Sequence, residues 1–164
     1  MNWDLEAIVR MYADMVYRLA YVRTGKKEDA EDVFQEVFIR LMKHLHEMQS
    51  EEHLKHWLIR VTVNCAHDVY HTSWRQREVS MGDLPAKEDT TQVMDHYDMV
   101  YEVVCSLPEK YKVPLHLFYY EQLTIKEIAQ VMQSQIGTVK SQLSRGRKML
   151  EKKLKEEGYH DGRI

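Results

Sequence analysis

Apolar residues recur three and four positions apart along nearly the whole chain, and no alternating stretch long enough for a strand interrupts them. Leu5, Ile8, Val9, Tyr12, Val16, Leu19 and Ala20 form one stripe. Ala30, Val33, Phe34, Val37, Phe38, Leu41 and Leu45 form a second, and Leu54, Trp57, Leu58, Val61, Cys65 and Val69 a third. Thr24-Gly25 divides the first two, and the polar stretch from Glu47 to Glu52 divides the last two. This pattern predicts three mutually packed helices ending near Arg77. From Glu78 to about Asp95 the periodicity fails: Met81-Gly82-Asp83-Leu84-Pro85 is a turn signal, and Lys87 through Gln92 is polar and mostly acidic. Beyond it, helices are expected near 96–106, 109–120, 124–132 and 137–155, with Pro108 placed where its missing N–H costs little. The expected fold class is all-α: two small helical domains joined by a flexible acidic linker.

Charge sharpens this division. The net charge of −3 conceals 11 basic and 12 acidic residues in 1–77, 1 against 7 in 78–102, and 11 against 7 in 103–164. Such asymmetry points the C-terminal part toward a polyanion, while the acidic middle would be kept off one. Seven basic residues and one acid fall within 136–155. No stretch approaches the roughly 18 apolar residues of a membrane span, and Met1-Asn2-Trp3-Asp4-Leu5-Glu6 lacks the basic and then apolar regions of a signal peptide. A cytoplasmic protein is expected, with Cys65 and Cys105 as reduced, packed thiols.

The basic segment has a recognisable frame. Thr124-Ile125-Lys126-Glu127 is a capping box opening a short helix with Ile128, Ala129 and Met132. Gln133-Ser134-Gln135 breaks it, and Gly137-Thr138-Val139 begins another. Val139, Leu143, Gly146, Leu150 and Leu154 fall on one side of that second helix and should bury, while Ala129 lets the two helices approach. This is a helix-turn-helix. Lys140, Ser141, Ser144 and Arg145, with Gln142 assisting, are placed to meet base edges in a major groove. Arg147, Lys148, Lys152 and Lys153 are placed to meet phosphate. An amphipathic helix with a solvated charged face is the plainer alternative, but the cap, the turn and the basic excess occur together.

The N-terminal half narrows the kind of DNA-binding protein. Asp29-Ala30-Glu31-Asp32-Val33-Phe34-Gln35-Glu36-Val37-Phe38 strongly resembles the polymerase-binding helix of sigma factors of the extracytoplasmic-function (ECF) group, within the sigma-70 family. His56-Trp57-Leu58-Ile59-Arg60-Val61-Thr62-Val63-Asn64-Cys65-Ala66-His67-Asp68 resembles their helix that opens the minus-ten element. Ser106-Leu107-Pro108-Glu109-Lys110-Tyr111, Glu127-Ile128-Ala129 and Ile136-Gly137-Thr138-Val139-Lys140-Ser141 resemble their minus-35-reading domain. The matches come in order, flank the acidic segment and span nearly the whole chain.

The resemblance implies a sigma-2-like domain at 1–77, a linker at 78–95, a sigma-4-like helix-turn-helix domain at 96–157 and a tail at 158–164. It implies that Asp32, Gln35, Glu36 and Arg40 contact a coiled coil on the clamp of the largest subunit of core RNA polymerase; Phe38 or Met42 could supply apolar neighbours there, with a core role competing for both. It also implies that the loop from about His46 to His53, with Asn64, His67, His71, Arg75 and Arg77, serves minus-ten recognition and melting. Where many members carry an Arg one turn after the Asp, this chain has His71, with its basic pair later. Trp57 matches a family position, though a core role competes with base stacking there. An anti-sigma factor, often membrane-bound, is a further implied partner. No cofactor, metal or catalytic site is expected.

Two other readings compete. A conventional helix-turn-helix regulator shares the Glu-Ile-Ala and Thr-Val-Lys spacing, but it would carry an α/β receiver or ligand-binding domain, and residues 1–77 lack strand periodicity. Nine histidines raise a metal site, and His46-Glu47 begins a zincin-like pattern, yet the second histidine position holds Ser50.

Overall fold

The computed structural model describes residues 2–79 and 99–158. Seven α-helices and no strand occur among them: α1 (Leu5–Thr24), α2 (Lys27–His44), α3 (Glu51–Val79), α4 (Met99–Cys105), α5 (Glu109–Tyr119), α6 (Ile125–Met132) and α7 (Ile136–Glu156). The chain divides into two compact units, Met1–Glu88 and Asp89–Ile164. Most of the expected linker, together with residues 159–164, lies outside the described residues.

In the first unit α1, α2 and α3 pack against one another in all three pairings. Asp4 caps α1 by accepting the Glu6 N–H at 3.1 Å, and Gly25 ends it in the left-handed region at φ 71°. That conformation favours glycine, so Gly25 turns the chain directly into α2. Val16, Leu19, Ala30, Val33, Val37, Leu41, Leu54 and Leu58 are fully buried or nearly so. Ile59, Thr62 and Ala66 are buried as well, because α3 meets two helices and needs a wider face than one stripe.

In the second unit α7 is the spine, contacting α4, α5 and α6. Val139, Leu143, Gly146, Leu150 and Leu154 are its buried residues, the set expected from spacing. Leu115 and Leu117 of α5 and Ile128 of α6 are fully buried too, and α7 packs on both of these helices. Pro108 precedes α5 as its N-cap. Buried His116 is 3.2 Å from Glu121 and stacks on Tyr120, so this polar group is paired inside the core.

Candidate nucleic-acid and polymerase interfaces

The helix-turn-helix is built as local chemistry dictates. Thr124 Oγ1 accepts the Glu127 N–H at 3.1 Å, and the Glu127 carboxylate accepts the Thr124 N–H at 2.8 Å, closing the capping box. Gln133 ends α6 at φ 51°, and its N–H returns to the carbonyls of Ala129 and Gln130. The chain then re-enters a helix at Ile136.

On α7 the side opposite the core presents Lys140, Ser141, Ser144, Arg145, Arg147 and Lys148, all exposed, with Gln142 half-buried beside them. Among the described residues no carboxylate pairs with Lys140, Arg145 or Lys148, so their charge is available to a ligand. Arg147 differs. Its Nε donates to the Tyr119 hydroxyl at 2.7 Å, and its guanidinium lies 5.3 Å from the Phe118 ring centroid. It therefore braces α7 against the end of α5 as well as facing solvent. Lys153 donates to Ser106 at 3.3 Å, which ties it to the end of α4 rather than leaving it free for phosphate.

A cleft of about 480 Å³ opens along the first turns of α7, lined by Lys110, Tyr111, Gln135, Gly137, Thr138, Ser141, Gln142 and Arg145. Gln135, the N-cap of α7, forms no side-chain cap, and the first turn of that helix holds no acid. Its amide N–H groups and dipole thus favour an anion there. Gly137 and Thr138 lie in the first turn of α7, where the helix-turn-helix pattern starts its second helix. Lys110 does not: it is 30 residues before Lys140 and reaches the cleft only through the packing of α5 on α7.

On α2, Asp32, Gln35 and Arg40 are exposed and Glu36 is half-buried, on one face at helical spacing. Arg40 Nε donates to Glu36 Oε1 at 2.8 Å, and this bond is the main reason the Arg40 guanidinium holds its proton more tightly than usual. Of the two apolar neighbours expected here, Met42 is 61% exposed, whereas Phe38 is buried, its ring centroid 4.8 Å from that of Phe34. Ile39, 48% exposed, takes the place foreseen for Phe38. Beside this face, Ala13, Asp14, Tyr17, Glu31, Phe34 and Gln35 line a largely apolar groove between α1 and α2.

On α3, Asn64 and His67 are exposed one turn apart. His67 Nδ1 lies 2.7 Å from a terminal nitrogen of Arg23, itself buried on α1. The guanidinium can only donate, so Nδ1 accepts and the imidazole proton sits on Nε2. His71, Arg75 and Arg77 fall on the last turns of α3, where the backbone alone is described. The loop before α3 is a short 3-10 turn, Leu45–Glu47, followed by a fixed bend. Met48 is buried, and its carbonyl accepts the Trp3 indole N–H at 3.3 Å. Ser50 Oγ accepts the His53 N–H at 3.0 Å while His53 Nδ1 accepts the Gln49 N–H at 3.1 Å. Trp57 is half-buried, its ring 6.0 Å from that of His44. Both thiols are free, and burial pushes Cys105 up to about 11 and Cys65 in the same direction, so both stay protonated and poorly nucleophilic near neutrality.

Comparison with known proteins places the chain in a family. The models for sigma-70 region 2 and sigma-70 region 4 match residues 8–76 and 97–150. The ECF RNA polymerase sigma factor SigM of Bacillus subtilis (strain 168) is 30% identical over 164 residues, covering 96% of this chain and 98% of the relative. SigW of the same organism, also an ECF RNA polymerase sigma factor, is 28% identical over 166 residues, covering 91% of this chain and 88% of the relative. The fold is that of the sigma factor RpoE solved in complex with the anti-sigma factor NepR from Bartonella quintana. Its TM-score is 0.72 at 18% identity, over 92% of this chain and 96% of that one. With both regions matched in order and a relative aligned almost end to end, the chain belongs to the ECF sigma factors of RNA polymerase.

Proposed function

We propose that this ECF sigma factor, which binds core RNA polymerase and directs promoter-specific initiation, divides that work between its two units. The helix-turn-helix unit, residues 96–157, reads the minus-35 element. Lys140, Ser141, Gln142, Ser144 and Arg145 face the bases, while Lys148 and Arg147 meet phosphate from the flank. The unit at 1–77 binds polymerase through Asp32, Gln35, Glu36 and Arg40 and opens the minus-ten element through Asn64, His67, His71, Arg75 and Arg77. The protein acts in the cytoplasm, has no catalytic step of its own, and is held in check by an anti-sigma factor, as RpoE of Bartonella quintana is found bound to one.

The observation that carries this reading is the pair of exposed cations without carboxylate partners, Lys140 and Arg145, on the second helix of a fully capped helix-turn-helix. Such a helix enters the major groove with its first turns against base edges. Run-off transcription with core polymerase lacking its own sigma subunit tests it. Wild-type chain should confer start-site selection. Arg145→Ala or Lys140→Ala should cut promoter-dependent transcription, by about tenfold for a contact worth 1–3 kcal/mol, and leave polymerase pulldown intact. Glu36→Lys sets a second cation beside Arg40 and should lose polymerase instead. If the helix-turn-helix variants abolished pulldown, the division of labour would be wrong.

A further inference from the structure

We infer that Lys110, on a helix outside the helix-turn-helix, is a DNA-contacting residue that grips a backbone phosphate at the mouth of the groove read by α7. This rests on the minus-35 reading above and extends it to a second helix.

Lys110 stands in the first turn of α5 and is exposed. Its Nζ lies 5.0 Å from the centroid of the Tyr111 ring, and it forms no ion pair among the described residues. Gly146 sets its place: with no side chain there, Leu115 and Tyr111 of α5 press against α7. The N-terminal end of α5 is thereby drawn alongside the start of α7. Lys110 consequently lines one cleft with Thr138, Ser141 and Arg145.

The ligand follows from geometry and charge. A helix seated in a major groove about 12 Å wide has a phosphate wall on either side. Ser141 and Arg145 face the bases in this arrangement, so a cation across the cleft from them, on a neighbouring helix, is set toward the wall rather than the floor. Apart from the base-facing Ser141 and Arg145, the cleft is lined by Lys110, Tyr111, Thr138 and the uncapped start of α7, and no carboxylate lines it. A lysine is suited to this position because a phosphate contact needs a point charge more than a planar fork. Its contribution is to affinity and register, not to base choice.

The test uses full-length chain bound to core polymerase, a promoter that this holoenzyme transcribes, and single-base variants of its minus-35 element. DNA affinity is measured across a range of salt concentrations. Lys110→Ala should weaken binding by the same factor on every variant and lower the slope of log affinity against log salt by about one. Lys110→Arg should restore both. Unchanged affinity and slope would overturn the inference, as would a loss that depends on base identity or appears as lost polymerase association. Arg145→Ala, run in parallel, separates the two ideas. If it weakens binding in a base-dependent way and Lys110→Ala does nothing, only the role of Lys110 fails. If both are silent, the minus-35 reading fails with it. Circular dichroism of each variant guards against misfolding, which is not expected for an exposed first-turn residue.

Discussion

At Gly146 a Cβ would sit 2.9 Å from Leu115 Cδ1 and 3.2 Å from Leu115 Cγ. Leu115 is fully buried, so its end cannot swing away without disturbing neighbours. Two opposing effects decide the outcome of Gly146→Ala. Alanine favours the middle of α7 over glycine by about 1 kcal/mol, whereas forcing a methyl group into a packed contact costs about 1–3 kcal/mol. The net expectation is a loss of about 1 kcal/mol, read as a lower urea midpoint. A stabilised variant would show that Leu115 yields freely. The position also bears on function, because moving α5 outward would carry Lys110 from the cleft. Spacing marks Gly146 as buried but leaves open why it is glycine. The answer lies 31 residues away, on another helix.

At the scale of elements, the sequence makes most helices plain and the joints between them less so. The apolar stripes of α2 and α7 match the buried faces because each runs several turns with one side to the core, whereas α1 is buried all round at its end, Leu19 to Thr24, which a single stripe does not foretell. Thr124 and Glu127 announce the start of α6 because a capping box is local chemistry. The stretch between α2 and α3 reads as a polar spacer, yet Met48 inside it is 5% exposed and its carbonyl accepts from Trp3, 45 residues away. Such a contact leaves no periodic trace. Phe38 is the opposite case: its place in the apolar stripe foretells its burial, and Ile39, about 100° round the helix, is left exposed. The Trp3 bond, the buried Met48 side chain and the bonds from His53 to Ser50 and Gln49 hold this loop in one shape. If this loop captures a base in promoter opening, as the family resemblance implies, forming it in advance spares the free energy of ordering it later. Trp3→Phe keeps a ring in place and removes the donor. It should cost about 0.5–1.5 kcal/mol of stability and slow promoter opening, seen as reduced permanganate reactivity of minus-ten thymines. Polymerase affinity should not change. Normal opening with full stability loss would confine Trp3 to a packing role.

For the whole molecule, what matters is how charge is spread over the two units and the segment joining them. Residues 99–158 carry 10 basic and 7 acidic side chains, but the bases gather on α7. The segment 78–95 carries one base and five acids. From its charge alone, and from its place next to the DNA-reading unit in the sequence, this segment is expected to compete with phosphate for the same cations and to repel the duplex. The isolated unit at 96–157 has its own apolar core, so it should fold alone, which its helical circular dichroism would establish. It should then bind a short duplex more tightly than a version extended back to residue 78, and the difference should fade as salt rises. At 0.1 M salt the screening length is about 10 Å, and at 1 M about 3 Å, so a repulsion acting through solvent shrinks while a blocking contact within the fold would not. Fluorescence anisotropy at low and high salt distinguishes them. Equal affinities at low salt would mean that the acids stay clear of the DNA and that full-length sigma, free of polymerase, owes any weakness in DNA binding to its other unit.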